Sequence, residues 1–138
     1  NLFHEYEEHF RENTDVPADQ FLDEPGRLIE WAHEQTDMYA YSFNGEWHDV
    51  GTPEGYLDAQ AAVIDGEIVK GDVENSETND NVFVMEGSTV KNSDLENVII
   101  FHDVEVENCT IKNTIIDNNC ELEEADLNDA IIGEHTSM

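Results

Sequence analysis

The chain has 138 residues, 34 of them acidic and 5 basic, for a formal charge of -29 at pH 7. Five scattered cations cannot build the basic surface that phosphate binding requires, which excludes nucleic acid and anionic membranes as partners. No run approaches the roughly 20 apolar residues of a membrane span and no basic-then-apolar leader opens the chain, so a cytoplasmic location is expected.

In chain order, Leu2 to Glu12 places Phe3, Tyr6 and Phe10 at helical spacing. Asp23 followed by Pro25 reads as the cap and first turn of a second helix running to about Gln35. Both helices read as amphipathic and surface-lying. The chain opens at Asn1-Leu2-Phe3, already inside this pattern and without an initiator Met, and is expected to be a piece of a longer protein. Next, Tyr39 to Phe43 and Glu46 to Val50 flank Asn44-Gly45, the strongest short-range hairpin signal. Gly51-Thr52-Pro53-Glu54 then supplies a tight turn, a Thr N-cap and a Pro at the first helical position. The helix it opens should run to Ile64, with Asp65-Gly66 ending it. Residues 66–80, rich in Gly and Asp, read as a linker.

From Asn81 the sequence realigns on itself every 16 residues: NVFVMEGSTVKNSDLE, NVIIFHDVEVENCTIK, NTIIDNNCELEEADLN, and a partial DAIIGEHTSM. Such self-similarity predicts stacked coils. Val84, Ile100, Ile116 and Ile132 form one large aliphatic column. Val90, Val106, Leu122 and Met138 form a second, and Leu95, Ile111 and Leu127 a third. These should be three inward-pointing edges. Smaller residues fill the columns between them: Ser88, Val104, Cys120 and Thr136; Ser93, Cys109 and Ala125; Val82, Val98, Thr114 and Ala130. Both cysteines fall in small-residue columns and lack metal spacing, so they read as reduced, buried packing groups. The polar columns should form an outward, solvated face. A further column, Phe83, Ile99, Ile115 and Ile131, neighbours an inward one and should point outward, and an exposed apolar stripe of this kind is expected at an interface.

Acids spread along the whole chain, together with two Trp, six Phe and four Tyr, point to a folded core and not to an acidic tail. The charge then fits adaptation to molar salt, where the Debye length shrinks to roughly 3 Å. His4, His9, His33, His48, His102 and His135 show no ligand spacing and read as surface groups; His48 should alternate to the strand face opposite Asp49.

The repeat resembles the hexapeptide-repeat family, Ile132-Gly133-Glu134-His135-Thr136 being its closest match to the family pattern. That resemblance implies a left-handed parallel β-helix. Because 16 falls short of three full hexapeptides, one side of six residues and two of five are expected.

Trp47-His48-Asp49-Val50-Gly51-Thr52-Pro53-Glu54-Gly55-Tyr56-Leu57-Asp58-Ala59 resembles the W-x-D-x-G-T-P-x-x-Y-L-x-A segment that closes the catalytic domain of sugar-1-phosphate nucleotidylyltransferases. Many members carry a hexapeptide β-helix directly afterwards. The resemblance implies an α+β tail of an α/β nucleotidyltransferase domain over 1–65, a linker over 66–80 and the β-helix over 81–138. It implies an enzyme that makes an NDP-sugar and pyrophosphate from a nucleoside triphosphate and a sugar 1-phosphate with Mg²⁺, held in part by Asp49. Gly51 and Thr52 would shape the substrate-proximal turn, Trp47 would lie in the core, and a homo-oligomer through the β-helix is expected. The family's Gly-rich nucleotide loop, basic phosphate-binding residues and second metal Asp are not in this sequence, so this polypeptide alone should be inactive.

Two other readings remain. A hexapeptide-repeat acyltransferase would need a His base, for which His102 and His135 are the candidates, and a loop inserted into the coils, which the repeat lacks. The alternative is a structural or oligomerisation β-helix module.

Overall fold

The computed structural model describes residues 2–13, 25–64 and 66–138. The expected cap Asp23 and the helix stop at Asp65 lie outside these. The chain divides into two compact units, Asn1–Gly45 and Glu46–Met138.

In the first unit, helix α1 (Leu2–Asn13) packs on helix α2 (Pro25–Gln35). Tyr6 is buried in this contact, its ring 4.6 Å from Phe10 and 5.6 Å from Trp31. Pro25 begins α2, where its missing N–H costs nothing. Ala32 is buried one residue beyond Trp31.

The hairpin expected at Tyr39–Val50 does not form: among the described residues no strand is assigned between Gln35 and Pro53, and Asn44-Gly45 is only a bend. Tyr39 is 92% exposed and Tyr41 88%. Trp47, expected in a core, is 82% exposed. A two-stranded hairpin is marginal in water on its own, needing a third strand or a helix against its apolar face.

The second unit is a parallel solenoid of about four coils carrying helix α3 (Pro53–Val63). Its strands are β1 (Ile68–Val69), β2 (Asp72–Glu74), β3 (Glu77–Val84), β4 (Thr89–Lys91), β5 (Asp94–Ile100), β6 (Glu105–Glu107), β7 (Thr110–Ile116), β8 (Glu121–Glu123), β9 (Asp126–Asn128) and β10 (Ile131–Ile132). Strands β2, β4, β6 and β8 stack as one parallel face. The first halves of β3, β5 and β7, with β9, make a second, and their second halves, with β1 and β10, a third. From β5 onward the register is 16 residues throughout, as in Leu95 to Ile111 to Leu127.

The solenoid starts earlier than the sequence period shows. Residues expected as linker form β1, β2 and the start of β3. The first coil is irregular: Ile68 pairs with Phe83, an offset of 15, whereas Glu77 pairs with Asp94, an offset of 17. A strict 16-residue alignment cannot find it.

All three large columns point inward. Val84, Val90, Leu95, Ile100, Ile111 and Ile116 are fully enclosed, and burial weakens in the end coils, at Val73 in the first and at Leu127 and the half-exposed Met138 in the last. The small columns are buried too, and they have a second role. The Ser88 hydroxyl accepts from the Val104 N–H at 3.0 Å, and the Ser93 hydroxyl from the Cys109 N–H at 2.9 Å. Ala125 N–H in turn points at Cys109 Sγ, 3.4 Å away. Each such group satisfies an amide of the next coil, which a larger apolar residue could not do.

The corners carry positive backbone φ. Gly87, Asn92, Asn97, Asp103, Asn108, Asn113, Asn119, Glu124, Asp129 and His135 all adopt it, at steps of five, five and six residues that repeat along the chain. These are the expected two short sides and one long one. A left-handed residue costs least for Gly, Asn and Asp, which explains the Asn-rich polar columns better than solvation does.

Candidate functional site

The site indicated by Asp49 is a turn at the head of α3. Asp49 Oδ1 accepts the Gly51 N–H at 3.0 Å, folding the backbone back through its own side chain. Thr52, extended at φ -129 and ψ 158, caps the helix: its hydroxyl accepts the Gly55 N–H at 3.1 Å, and its carbonyl accepts the Tyr56 N–H at 2.9 Å. Pro53 occupies the first helical position.

One member of this turn escaped the sequence reading. A Cβ on Gly55 would run into the Asp49 carbonyl oxygen, so only glycine lets the helix start so close beneath the metal-ligand candidate. A glycine inside the first helical turn, where Ala would ordinarily be better, was the available signal.

Helix α3 lies against β5 and β7. Its Leu57 is buried there. Gln60 Nε2 donates to Asn81 Oδ1 at 3.2 Å, and Asn81 Nδ2 donates to the Leu57 carbonyl at 3.2 Å. The outward apolar column is therefore unequal. Ile99 is buried, Phe83 and Ile115 are half-buried, and Ile131 stays 59% exposed. Next to the helix, Val50, Pro53, Tyr56, Phe101, Ile115 and Ile131 line an open apolar groove of about 330 Å³. A more polar cleft of about 630 Å³ lies beside the helix start, with Thr52, Glu54, Asp58, Asn97, Asn113 and Asp129 around it.

Asp49 is exposed, and among the described residues no group of three or more His, Cys, Asp or Glu side chains is placed to hold a metal ion. His48 Nε2 faces Glu46 at 3.3 Å. His102 Nδ1 lies 3.1 Å from the Glu86 carbonyl, and His135 lies beside Glu134, on separate columns of the solenoid. The six histidines are all exposed. Cys109 and Cys120 are unpaired and buried, and their thiols donate to the carbonyls of Glu107 and Gly133, both at 3.2 Å. On the second face, Lys112 Nζ contacts Glu96 at 2.5 Å, and that hydrogen bond and charge raise the lysine pKa, so it stays a fixed cation. Among the described residues no helix is long and apolar enough to cross a membrane.

No curated protein matches the chain. A family model described as GlmU-like, C-terminal hexapeptide matches residues 52–137. The match begins at the N-cap of α3 and runs through the irregular first coil, so helix and solenoid fall within one module. Since it covers more than half of the sequence, the chain belongs to the GlmU-like, C-terminal hexapeptide family.

Proposed function

We propose that this chain is the C-terminal part of a sugar-1-phosphate nucleotidylyltransferase, which joins a nucleoside triphosphate to a sugar 1-phosphate and releases pyrophosphate. The observation that carries the reading is the Asp49-Gly51-Thr52-Pro53 turn, closed on itself by its own side chains and set at the head of a helix docked directly on a hexapeptide solenoid. Residues 1–65 are then the tail of the catalytic domain. The exposed aromatics Tyr39, Tyr41 and Trp47 fit a segment whose packing partners lie elsewhere in that domain. The solenoid winds left-handed in this reading, works in a salt-rich cytoplasm, and pairs with further copies through the uncovered end of the Phe83, Ile99, Ile115 and Ile131 column.

The reaction brings two polyanions together, and a Mg²⁺ ion bound at the site would offset the negative charge that develops. The described residues offer that ion one carboxylate. The Gly51 N–H engages Asp49 Oδ1 and so orients the group, while Oδ2 takes no part in the turn. A single protein carboxylate suits Mg²⁺, which keeps several waters and takes further ligands from phosphates. Thr52 and Gly55 hold the turn rigid, and the nucleotide and sugar sites lie in the domain that this tail would close. An acyltransferase is disfavoured because no loop leaves the coils between Gly87 and His135 to build a site around His102.

The test is pyrophosphate release by the full-length enzyme and its Asp49→Asn variant across a Mg²⁺ titration. The amide keeps the Oδ1 acceptor and removes the charge, so turnover should fall by about a hundredfold or more while stability changes by less than about 0.5 kcal/mol. High Mg²⁺ should restore activity only in part. Equal rates at every Mg²⁺ concentration would reduce Asp49 to one more surface acid.

A further inference from the structure

Along one corner of the solenoid the side-chain amides form a continuous chain. Gln60 Nε2 of α3 donates to Asn81 Oδ1 at 3.2 Å, and Asn81 Nδ2 donates to Asn97 Oδ1 at 2.6 Å. Asn97 Nδ2 donates to Asn113 Oδ1 at 2.9 Å, and Asn113 Nδ2 to Asn128 Oδ1 at 3.3 Å. Asn128 Nδ2 ends the series on the Asp129 carboxylate at 2.7 Å. Every bond runs in the same sense, from the helix to a fixed negative charge. Bonds aligned in this way polarise one another, and the last is charge-assisted.

The top of the ladder is built by an irregularity. The pairing of β3 with β5 shifts between Asn79 and Val82, from an offset of 17 to one of 16, and both Asp80 and Asn81 there have φ of 45°. An extra residue of this kind re-aims a side chain. Here it is Asn81, whose amide reaches Gln60, the Leu57 carbonyl and Asn97 together. The other two corners share the positive-φ backbone, with Asn75, Asn92 and Asn108 along one and Gly87, Asp103 and Asn119 along the other, while α3 lies against β5 and β7.

We propose that this amide ladder is the device that registers α3 on the solenoid, with Asn97 as an interior positioning residue. An interior rung that cannot donate interrupts the chain, and α3 then loosens although Asn97 is outside the helix. That much stands on the hydrogen bonds alone; only the consequence, that the ladder also sets the place of Asp49 at the head of α3, rests on the nucleotidyl-transfer reading.

The experiment is amide hydrogen exchange across α3, at Tyr56 and Ile64 above all, in molar KCl to screen added charge. Asn97→Asp is compared with Asn108→Asp, and Asn97→Ala with Asn108→Ala. Asn108 holds the same left-handed conformation, φ 56° against 54°, at a corner away from α3, so each pair shares its backbone strain and its change of charge. The Asn97 variants should exchange about three- to tenfold faster in α3 than their Asn108 partners, the range expected for one lost hydrogen bond. The core amides of Ile100 and Ile116 should remain protected in both. Equal α3 exchange within both pairs would overturn the proposal. If the Asn97 variants lose core protection as well, Asn113→Ala takes their place, and α3 exchange no faster than in Asn108→Ala would again overturn it. Nothing in this measurement involves nucleotide, so its failure is separate from that of the catalytic reading.

Discussion

Strand β6 and the stretch from Tyr39 to Val50 make an instructive pair. Glu105-Val106-Glu107 has one β-branched residue between two carboxylates, a poor strand by composition, yet it is a strand with its valine buried. Tyr39 to Val50 is rich in aromatics around an Asn-Gly turn, yet is no strand at all. The difference lies in the neighbours. Residues of β6 are paired above by β4 and below by β8, and Val106 sits between Val90 and Leu122. The aromatic stretch has propensity, but its Tyr39, Tyr41 and Trp47 side chains are exposed. Strand propensity is mostly a statement about packing against neighbours, and a lone hairpin cannot supply them.

The comparison can be broken most sharply by placing the same charge in each region. Cys109→Glu puts an unpaired carboxylate inside the coil and should cost on the order of 3–5 kcal/mol, read as a collapse of the melting transition. Tyr41→Glu, in the exposed stretch, should change it by less than about 0.5 kcal/mol. Similar melts for the two variants would mean that the 16-residue register is wrong.

Salt should act next most strongly, and on the solenoid. Its register sets Glu77 beside Asp94, Glu105 beside Glu121 and Glu107 beside Glu123, like charges on adjacent strands about 4.8 Å apart. Relief of those three pairs should add roughly 1–2 kcal/mol between dilute buffer and molar KCl. A melting temperature independent of KCl would remove the argument for adaptation to salt.

The smallest expected effect sharpens the contrast between two helices. Gly26 near the start of α2 has open space where a Cβ would go, so Gly26→Ala should stabilise the first unit by about 0.5 kcal/mol. Gly55→Ala, one position further into the first turn of α3, meets the Asp49 carbonyl and should instead destabilise by about 1 kcal/mol. Helix unfolding followed by circular dichroism would show the opposite signs; a gain at both positions would mean that the Asp49 turn yields easily.

The sequence by itself determined the coil. A period of 16 with three aliphatic columns leaves one way to bury every column at once, because parallel stacking places residue i beneath residue i+16. Val84 over Ile100 over Ile116 was therefore legible, as were the buried cysteines and the Thr52 cap with Pro53, which are local signals. Tertiary structure decided the rest. The first coil could not be read because its offsets of 15 and 17 break the period, and pairing with the regular coil below is what holds it. Ile99 looked exposed by alternation, but α3 covers it, a contact between segments some forty residues apart that no local pattern encodes. The Asn corners were visible as a column, yet their reason was not, since the left-handed turn is demanded by closing a three-sided coil. Gly55 follows the same logic. Its need for a bare Cα arises from the carbonyl of Asp49 folded above it, a constraint set by the shape of the finished turn.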